Sequence, residues 1–259
     1  MSELIQIEHH GPVATLWLNR PEKHNAFDEH LIAAISAGLK LLAEDATVRV
    51  VVLGGRGRSF SAGGDLDWMR RAAGYDYAEN LSDAELLADM LHTLATLPKP
   101  TIARVHGAAL GGGVGLVCAC DIAIASDSAF FATTEVRVGL IPATIGPYVL
   151  RAIGARQAQR YFQSAERISA TRAQQIELVH EVVGDAALDL KIDEITSALV
   201  ACGPNAQATA KRFVADTANW PIDAALISDT AKAIARIRAT DEAREGLSAF
   251  LDKRKPAWT

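Results

Sequence analysis

The chain has 259 residues, of which 49% are apolar and 22% charged, with a formal net charge of -5 at pH 7. This length and composition allow one large domain, or one domain with an appendage, around a sizeable core. The negative charge argues against general nucleic-acid binding, which needs a basic surface, although it leaves room for a small basic pocket.

The beginning of the chain predicts a β-hairpin followed by a helix. Residues 4–8 and 13–19 have strand patterns and flank a turn at residues 9–12. Asp28 suits an N-cap or a first-turn acid, and an amphipathic helical pattern follows it. The apolar stripe of that helix comprises Leu31, Ile32, Ile35, Leu39 and Leu42.

Buried strands then alternate with helical segments. The β-branched run at residues 48–55 predicts a strand buried on both faces, and residues 79–97 predict a helix. A second buried strand is predicted at 101–107, a helix that begins in glycines at 111–120, and a third strand at 121–126. This alternation is typical of an α/β fold with a mainly parallel sheet.

The last part of the chain is predicted to be helical. From about residue 144 the pattern is helical nearly to the end, with one strand predicted at 178–183. We therefore expect a boundary near residues 185–200. It divides the chain into an α/β core at 1–195 and a helical region at 196–259.

Several common classes of site do not fit this sequence. No glycine-rich segment has the spacing of a dinucleotide-binding or Walker loop, and Ser61 does not lie in a nucleophile elbow. Cys118-x-Cys120 has the wrong spacing for zinc, and the histidines show no metal-ligand pattern, so no metal is predicted. With no signal peptide and no membrane-spanning stretch, we expect a soluble cytoplasmic protein without a membrane or nucleic-acid partner.

Glycines follow two of the predicted strands. Gly64 lies in FSAGGDL and Gly112 in ALGGGVGL, and both segments are expected at the carboxyl edge of the sheet, where ligands of open α/β sheets bind. A glycine allows close approach of a ligand to its N–H, and Gly112 would also begin a helix with unpaired N–H groups. Two such donors on one oxygen would form an oxyanion hole. The alternative is that both are tight turns needed only for packing.

Four segments together resemble the enoyl-CoA hydratase/isomerase (crotonase) superfamily: FSAGGDL, PKPTIARVHGAALGGGVGL, CDIAIASDSAFFATTEVRVGLIP and FLDKRKPAW. The resemblance covers nearly the whole chain, in the order of the family. It implies a crotonase-like spiral of ββα repeats with a helical C-terminal trimerisation region. It also implies acyl-CoA substrates, no prosthetic group, and a homotrimer or a dimer of trimers.

The resemblance also implies catalytic roles. The oxyanion donors fall on the N–H groups of Gly64 and Gly112, and one of the two family glutamates falls on Glu135. The other falls on Gly115, which has no side chain, so this chain departs from the two-carboxylate scheme. An ordered water beside Gly115 is one possible replacement. As a single acid–base group, Glu135 is expected to take a proton from the attacking water and return it to the substrate.

Further residues are assigned to the ends of the substrate by the same resemblance. Those expected to bind coenzyme A are Lys23, Ala26, Ala62, Asp65 and Leu66, with Phe250 and Lys253 reaching it from a neighbouring subunit. The chain is most similar to the branch of the family that hydrates methylglutaconyl-CoA in leucine breakdown or a related glutaconyl-CoA. A second carboxylate on such a substrate would meet Arg70, Arg71 or Arg137; the alternative is that these arginines form structural salt bridges.

The expected function is hydration of the 2,3 double bond of a short, branched enoyl-CoA. One alternative is a Δ3–Δ2 enoyl-CoA isomerase, because a proton shuttle needs only one carboxylate such as Glu135. Another is a catalytically silent CoA-binding scaffold, which the glycine at position 115 motivates.

Overall fold

The computed structural model of the chain describes residues 4–258. Strands and helices alternate as far as residue 183, and helical segments alone follow. The strands are β1 (Ile5–His10), β2 (Val13–Leu18), β3 (Val50–Gly55), β4 (Thr101–Val105), β5 (Ala108–Leu110), β6 (Ile122–Ser126), β7 (Phe130–Ala132), β8 (Ile168–Ser169) and β9 (Glu181–Val183). The helices are α1 (Glu29–Glu44), α2 (Leu66–Ala72), α3 (Tyr77–Ala95), α4 (Gly112–Ala119), α5 (Gly146–Ser164), α6 (Ala170–Gln175), α7 (Leu188–Val200), α8 (Pro204–Thr217), α9 (Ala224–Arg238) and α10 (Asp241–Leu251).

The larger sheet is mainly parallel, as predicted. Its order is β1-β2-β3-β4-β6-β9, with β1 and β2 antiparallel and every later pair of neighbours parallel. The N-terminal hairpin is confirmed, but its first strand extends through His10, so the turn is confined to Gly11 and Pro12. Gly11 has a positive φ of 58°, which glycine adopts without steric cost.

β3 is buried along its whole length because helices cover both of its faces. Val50 and Val52 pack in a cluster with Ile192 of α7. Val51 and Leu53 alternate with them and belong to the larger cluster, which includes the apolar stripe of α1. The sheet therefore forms the middle layer of the core.

The caps of α1 and α3 fix where these helices begin. The predicted cap of α1 is confirmed, since the Asp28 side chain accepts a hydrogen bond from the Leu31 N–H, and the whole predicted stripe is buried. α3 begins two residues earlier than expected because Asp76 and Glu79 form a capping box. Both helices pack against each other on one side of the sheet.

A second, smaller sheet was not predicted. Its order is β5-β7-β8, with β5 and β7 parallel and β7 and β8 antiparallel. These strands have three residues or fewer, which is too short for an alternating pattern to be recognised. Isolated bridges join Ser61 to Ala109 of β5 and Phe27 to Gly64. Together they bring the loop after β3 alongside the segment that leads into α4.

The C-terminal helices bury little of their apolar surface within the chain. α7 packs on the sheet and runs through the expected boundary between residues 195 and 196. In α8–α10, all within the described residues, Ala249 is the one buried side chain. Large apolar side chains are exposed instead, namely Phe213, Val214, Ile227, Ile234, Leu247, Phe250 and Leu251.

The cysteines occupy unreactive or exposed positions. Cys120 is buried and Cys118 partly buried near the end of α4, and burial raises the pKa of Cys118 to about 12. Cys202 is exposed. In residues 4–258, no three His, Cys, Asp or Glu side chains are grouped so that they could hold a metal ion. None of the described helices combines the length and apolarity needed to cross a bilayer.

Candidate active site

The first glycine pair lies in the loop between β3 and α2, where it is held against residue 27. The Phe27 N–H donates to the Gly63 carbonyl at 2.6 Å, and the Asp65 N–H donates to the Phe27 carbonyl at 2.7 Å. These two bonds use the carbonyl that precedes Gly64 and the N–H that follows it. Because N–H groups of successive residues in an extended chain point in opposite directions, the Gly64 N–H points away from Phe27. Gly64 is partly exposed, whereas Gly63 and Asp65 are buried.

The second glycine segment begins α4. The Gly111 N–H donates to the Ala132 carbonyl at 2.9 Å, and Gly111 has a positive φ of 49° that turns the chain into the helix. Gly112 is the first residue of α4, where N–H groups have no partner within the helix. Across residues 4–258, neither the Gly64 N–H nor the Gly112 N–H donates a hydrogen bond.

Phe27 joins the two glycine segments, a role that the sequence patterns did not reveal. Its backbone is paired with the loop at 63–65, and its ring lies 2.6 Å from the position that a Cβ on Gly112 would take. The Leu110 carbonyl lies 2.8 Å from the corresponding position on Gly63. Both glycines therefore permit contacts that a larger residue would prevent. The one available signal was a large aromatic residue directly before an N-cap.

Glu135 lies beside the second glycine segment, in a 3₁₀ turn at Glu135–Val138 that follows β7. Its Oε1 is 3.4 Å from the position of a Cβ on Gly111, so the carboxyl group reaches the beginning of α4. Its Oε2 is buried and has no hydrogen-bond partner among the described residues. Burial raises the pKa of Glu135, and a hydrogen bond from its own backbone N–H only partly offsets this rise. A carboxyl oxygen that is buried without a partner is typical of an acid–base residue.

The space beside Gly115 is filled by apolar side chains. A Cβ on Gly115 would lie 2.4 Å from Cγ2 of Ile145 and 3.5 Å from Cδ1 of Leu91. Both side chains are fully buried. Ile145 therefore occupies the position where a side chain at residue 115 would begin. The water suggested in place of the missing carboxylate stays a prediction. This side of the site is apolar.

Several residues assigned to coenzyme A share one charged neighbourhood. Lys23 Nζ lies 2.8 Å from Asp65 Oδ2 and 3.1 Å from Asp67 Oδ2, and these bonds raise the pKa of Lys23. Arg20, which the sequence patterns missed, is buried and pairs with Asp65 at 3.4 Å. It also donates to the Ala26 carbonyl at 2.9 Å. Asp65 is thus buried between two cations while it caps α2.

The other residues assigned to coenzyme A differ in exposure. Ala62 is partly exposed and donates from its N–H to the His24 carbonyl at 2.9 Å, which places it beside Lys23. Leu66 is exposed at the start of α2. Phe250 is 80% exposed at the end of α10, and Lys253 follows with a positive φ of 54°. The roles of these four residues stay predictions.

The three arginines assigned to a second carboxylate all have partners within the chain. Arg70 pairs with a carboxylate of its own helix, Asp67. Arg71 donates to both oxygens of Glu29 at 2.7 Å. Arg137 donates to the Ala165 carbonyl at 2.6 Å rather than pairing with the neighbouring Glu135. Binding a substrate carboxylate would require each of them to exchange or share its present partner.

Known proteins are similar to this chain over nearly its whole length. The model of the enoyl-CoA hydratase/isomerase family matches residues 8–259. The 2,3-dehydroadipyl-CoA hydratase of Escherichia coli is 33% identical over 99% of this chain and 98% of its own length. The trans-2-decenoyl-acyl-carrier-protein isomerase of Streptococcus mutans is 32% identical over 95% of this chain and 94% of its own. An enoyl-CoA hydratase crystal structure from Shewanella pealeana is 41% identical, with a TM-score of 0.96 over 98% of this chain and 96% of that chain.

Proposed function

The chain belongs to the enoyl-CoA hydratase/isomerase family, and from this premise we propose that it hydrates the 2,3 double bond of a short, branched enoyl-CoA. Its two mixed sheets and C-terminal helices form the crotonase fold. Family membership implies an acyl-CoA thioester as substrate and no prosthetic group. The observation that carries the proposal is the buried, unpartnered Oε2 of Glu135, whose carboxyl group reaches the beginning of α4, together with two glycine N–H groups that have no partner in residues 4–258.

The two glycines would stabilise the charge that develops during reaction. When water adds to Cβ of an enoyl thioester, the electron pair of the double bond moves toward the thioester oxygen and forms an enolate. Donors at Gly64 and Gly112 would hold that oxygen more strongly in the enolate than in the substrate, and so lower the barrier. Their partial exposure beside buried neighbours supports this role.

Glu135 would carry both proton transfers. As a carboxylate it takes a proton from water while the water oxygen forms its bond to Cβ. As a carboxylic acid it then gives that proton to Cα, which regenerates the thioester carbonyl and the carboxylate. Water and the double bond are consumed, and a 3-hydroxyacyl-CoA is formed. One carboxyl group, on one face of the substrate, is sufficient for this sequence.

The apolar filling beside Gly115 favours a second candidate, Δ3–Δ2 isomerisation. A shuttle of one proton between Cα and Cγ by Glu135 needs no bound water and no second carboxylate, and at Gly115 the side chain of Ile145 occupies the Cβ position. One relative, the Streptococcus mutans protein, is an isomerase. Reaction in H₂¹⁸O separates the two: hydration places the label in a β-hydroxyl group, whereas isomerisation leaves the product unlabelled.

The finer substrate proposal is methylglutaconyl-CoA or a related glutaconyl-CoA. The test is the loss of enoyl-thioester absorbance with methylglutaconyl-CoA, compared with crotonyl-CoA and a 3-methylcrotonyl thioester that lacks the second carboxylate. A preference for the dicarboxylic substrate that disappears in Arg71→Gln would support it. No absorbance loss with any of the three at high enzyme concentration would reject the hydratase proposal.

We also propose that the C-terminal helices form the oligomer contact of a homotrimer or a dimer of trimers. The exposed apolar side chains of α8–α10, among them Phe213 and Ile227, give these helices a surface that a second copy would bury. In that assembly Phe250 and Lys253 would reach coenzyme A in the neighbouring subunit. Light scattering on the purified chain tests this: a monomer at micromolar concentration would contradict it.

A further inference from the structure

Trp68 lies in α2, one turn beyond Gly64. Cζ3 of its ring is 3.5 Å from the position that a Cβ on Gly64 would take, and Cγ and Sδ of Met69 are equally close. The Trp68 N–H donates to Oδ1 of Asp65 at 3.2 Å, and Asp65 caps this helix. Both the backbone and the ring of Trp68 are therefore held against the loop that carries Gly64.

Asp83 of α3 holds the other edge of the Trp68 ring. The indole Nε1–H donates to Asp83 Oδ1 at 3.1 Å. Asp83 is half-buried, and this burial raises its pKa, an effect that Glu29 adds to. The hydrogen bond from Trp68 and the positive charge of Arg71, which donates to Glu29, partly offset this rise in the pKa of Asp83. Burying a carboxyl group without a paired cation is unfavourable, and here its position serves to orient an indole N–H.

One face of α3 links this contact to the apolar side of the site. Asp83, Leu87 and Leu91 are spaced four residues apart and share a face that is roughly 12 Å long, at about 1.5 Å per residue. Leu87 packs against the main core, and Leu91 lies against Gly115. The face therefore runs from Trp68 at one end to the filled space beside Gly115 at the other.

We propose that Trp68 closes the acyl end of the site and that Asp83 is the residue that positions it, so that the site selects short acyl chains. This inference rests on the proposed function, because it needs an acyl thioester held at Gly64 and Gly112. An acyl chain extending from that point meets an apolar wall and then the indole. The ring is fixed at its backbone and at Nε1, and it moves aside for a longer chain only if its bond to Asp83 breaks.

The test measures binding rather than turnover. Dissociation constants are determined by calorimetry for butyryl-, hexanoyl-, octanoyl- and decanoyl-CoA, which are saturated and cannot be hydrated. The variants are Trp68→Ala, Asp83→Leu, which removes the acceptor, and Asp83→Asn, which keeps an acceptor oxygen. Asp89→Leu, at an exposed position of the same helix, is the matched control. Trp68→Phe, which loses Nε1 and shortens the ring system, replaces Trp68→Ala if that variant does not fold.

The wild type is expected to bind butyryl- or hexanoyl-CoA most tightly. In Trp68→Ala, affinity should increase by about fourfold for each methylene beyond that length, as burial of apolar surface predicts. Asp83→Leu should shift in the same direction by less, while Asp83→Asn and Asp89→Leu keep the wild-type profile. An unchanged profile in Trp68→Ala overturns the inference about Trp68, and a shift there without one in Asp83→Leu overturns the role of Asp83. If the wild type binds none of these thioesters, the proposed function itself fails.

Discussion

Gly112 and Gly115 lie one turn apart on α4, but the missing side chain serves a different purpose at each. At Gly112 it leaves a helix N-terminal N–H partly exposed and allows the Phe27 ring to pack closely. At Gly115 it admits Ile145, whose Cγ2 occupies the place of a Cβ. One glycine leaves a backbone N–H without a partner, and the other lets an apolar side chain fill the space beside the helix.

This difference divides the site into a polar side and an apolar side. The polar side has the N–H groups of Gly64 and Gly112 and the carboxyl group of Glu135. The apolar side has Ile145 and Leu91. A glycine-rich motif therefore does not by itself identify oxyanion donors, and the neighbours of each glycine decide its role. The division also leaves Glu135 as the one carboxyl group available for proton transfer on the proposed mechanism.

Among the residues of the polar side, Glu135 is expected to have the largest effect on activity. Glu135→Gln should lower kcat by about 10²–10⁴, because the amide keeps the shape of the side chain but cannot take a proton from water. Binding of a saturated acyl-CoA should change little. The measurement is hydration of the best substrate, with Glu44→Gln, at an exposed position of α1, as control. Equal turnover in the two variants would contradict the acid–base role, and a wild type inactive on every enoyl-CoA would favour the scaffold alternative.

The N–H of Gly112 can be tested separately from the space around it. Gly112→Ala and Gly112→Pro both place a Cβ against the Phe27 ring, but only proline removes the N–H. Proline is well tolerated at the first position of a helix, which is where Gly112 lies. We expect kcat/KM of Gly112→Pro to be lower than that of Gly112→Ala by about 10²–10³, the usual effect of one oxyanion donor. Equal values in two folded variants would remove Gly112 from the mechanism.

The sequence was sufficient to predict the elements whose patterns are long and local. The apolar stripe and the Asp28 cap of α1 and the buried run of β3 follow from residue spacing alone, and both are confirmed. The glycine-led start of α4 is confirmed for the same reason. The smaller sheet was missed because strands such as Ile168–Ser169 are too short to show a period.

Contacts between distant segments could not be predicted from the sequence. Phe27 contacts Gly112 across 85 positions, and Ile145 contacts Gly115 across two intervening strands, β6 and β7, so no local pattern marks either contact. The same holds for the bond between Trp68 and Asp83, which lie in separate helices. The resemblance to a family supplied Glu135, whereas the glycines were indicated by their positions after predicted strands. Only the packing shows that Ile145 occupies the Cβ position at Gly115.

Substitutions on the apolar side should mainly change the free energy of unfolding. Gly115→Ala forces a methyl group into Ile145 and should cost about 1–3 kcal/mol in the free energy of unfolding, as overpacking does. Ile145→Ala alone leaves a cavity and should cost about 2–5 kcal/mol. The double variant should lose less than the sum, because the added methyl group partly fills the cavity. Urea unfolding of all four proteins measures this coupling, and strictly additive costs would show that the two residues do not compete for one space.

The smallest expected effect is the pH dependence that the burial of Glu135 imposes. The carboxylate is the form that accepts a proton from water, so kcat/KM should fall by about tenfold per pH unit below its raised pKa. The midpoint should lie above the ordinary value of 4.5. A profile with its acid limb at or below that value would contradict the assignment.

The free energy of unfolding should change with pH in the opposite direction to kcat/KM, because both depend on the protonation of Glu135. Between the ordinary pKa of Glu135 and its raised folded-state pKa, the folded state binds more protons than the unfolded state, so the free energy of unfolding falls as pH rises. Glu135→Gln removes this titration, so its stability relative to the wild type should increase across that interval and level off above it. Unfolding in urea at several pH values measures the difference. If the difference does not vary with pH while kcat/KM of the wild type does, the group that limits activity is not Glu135, and the polar side of the site has another base.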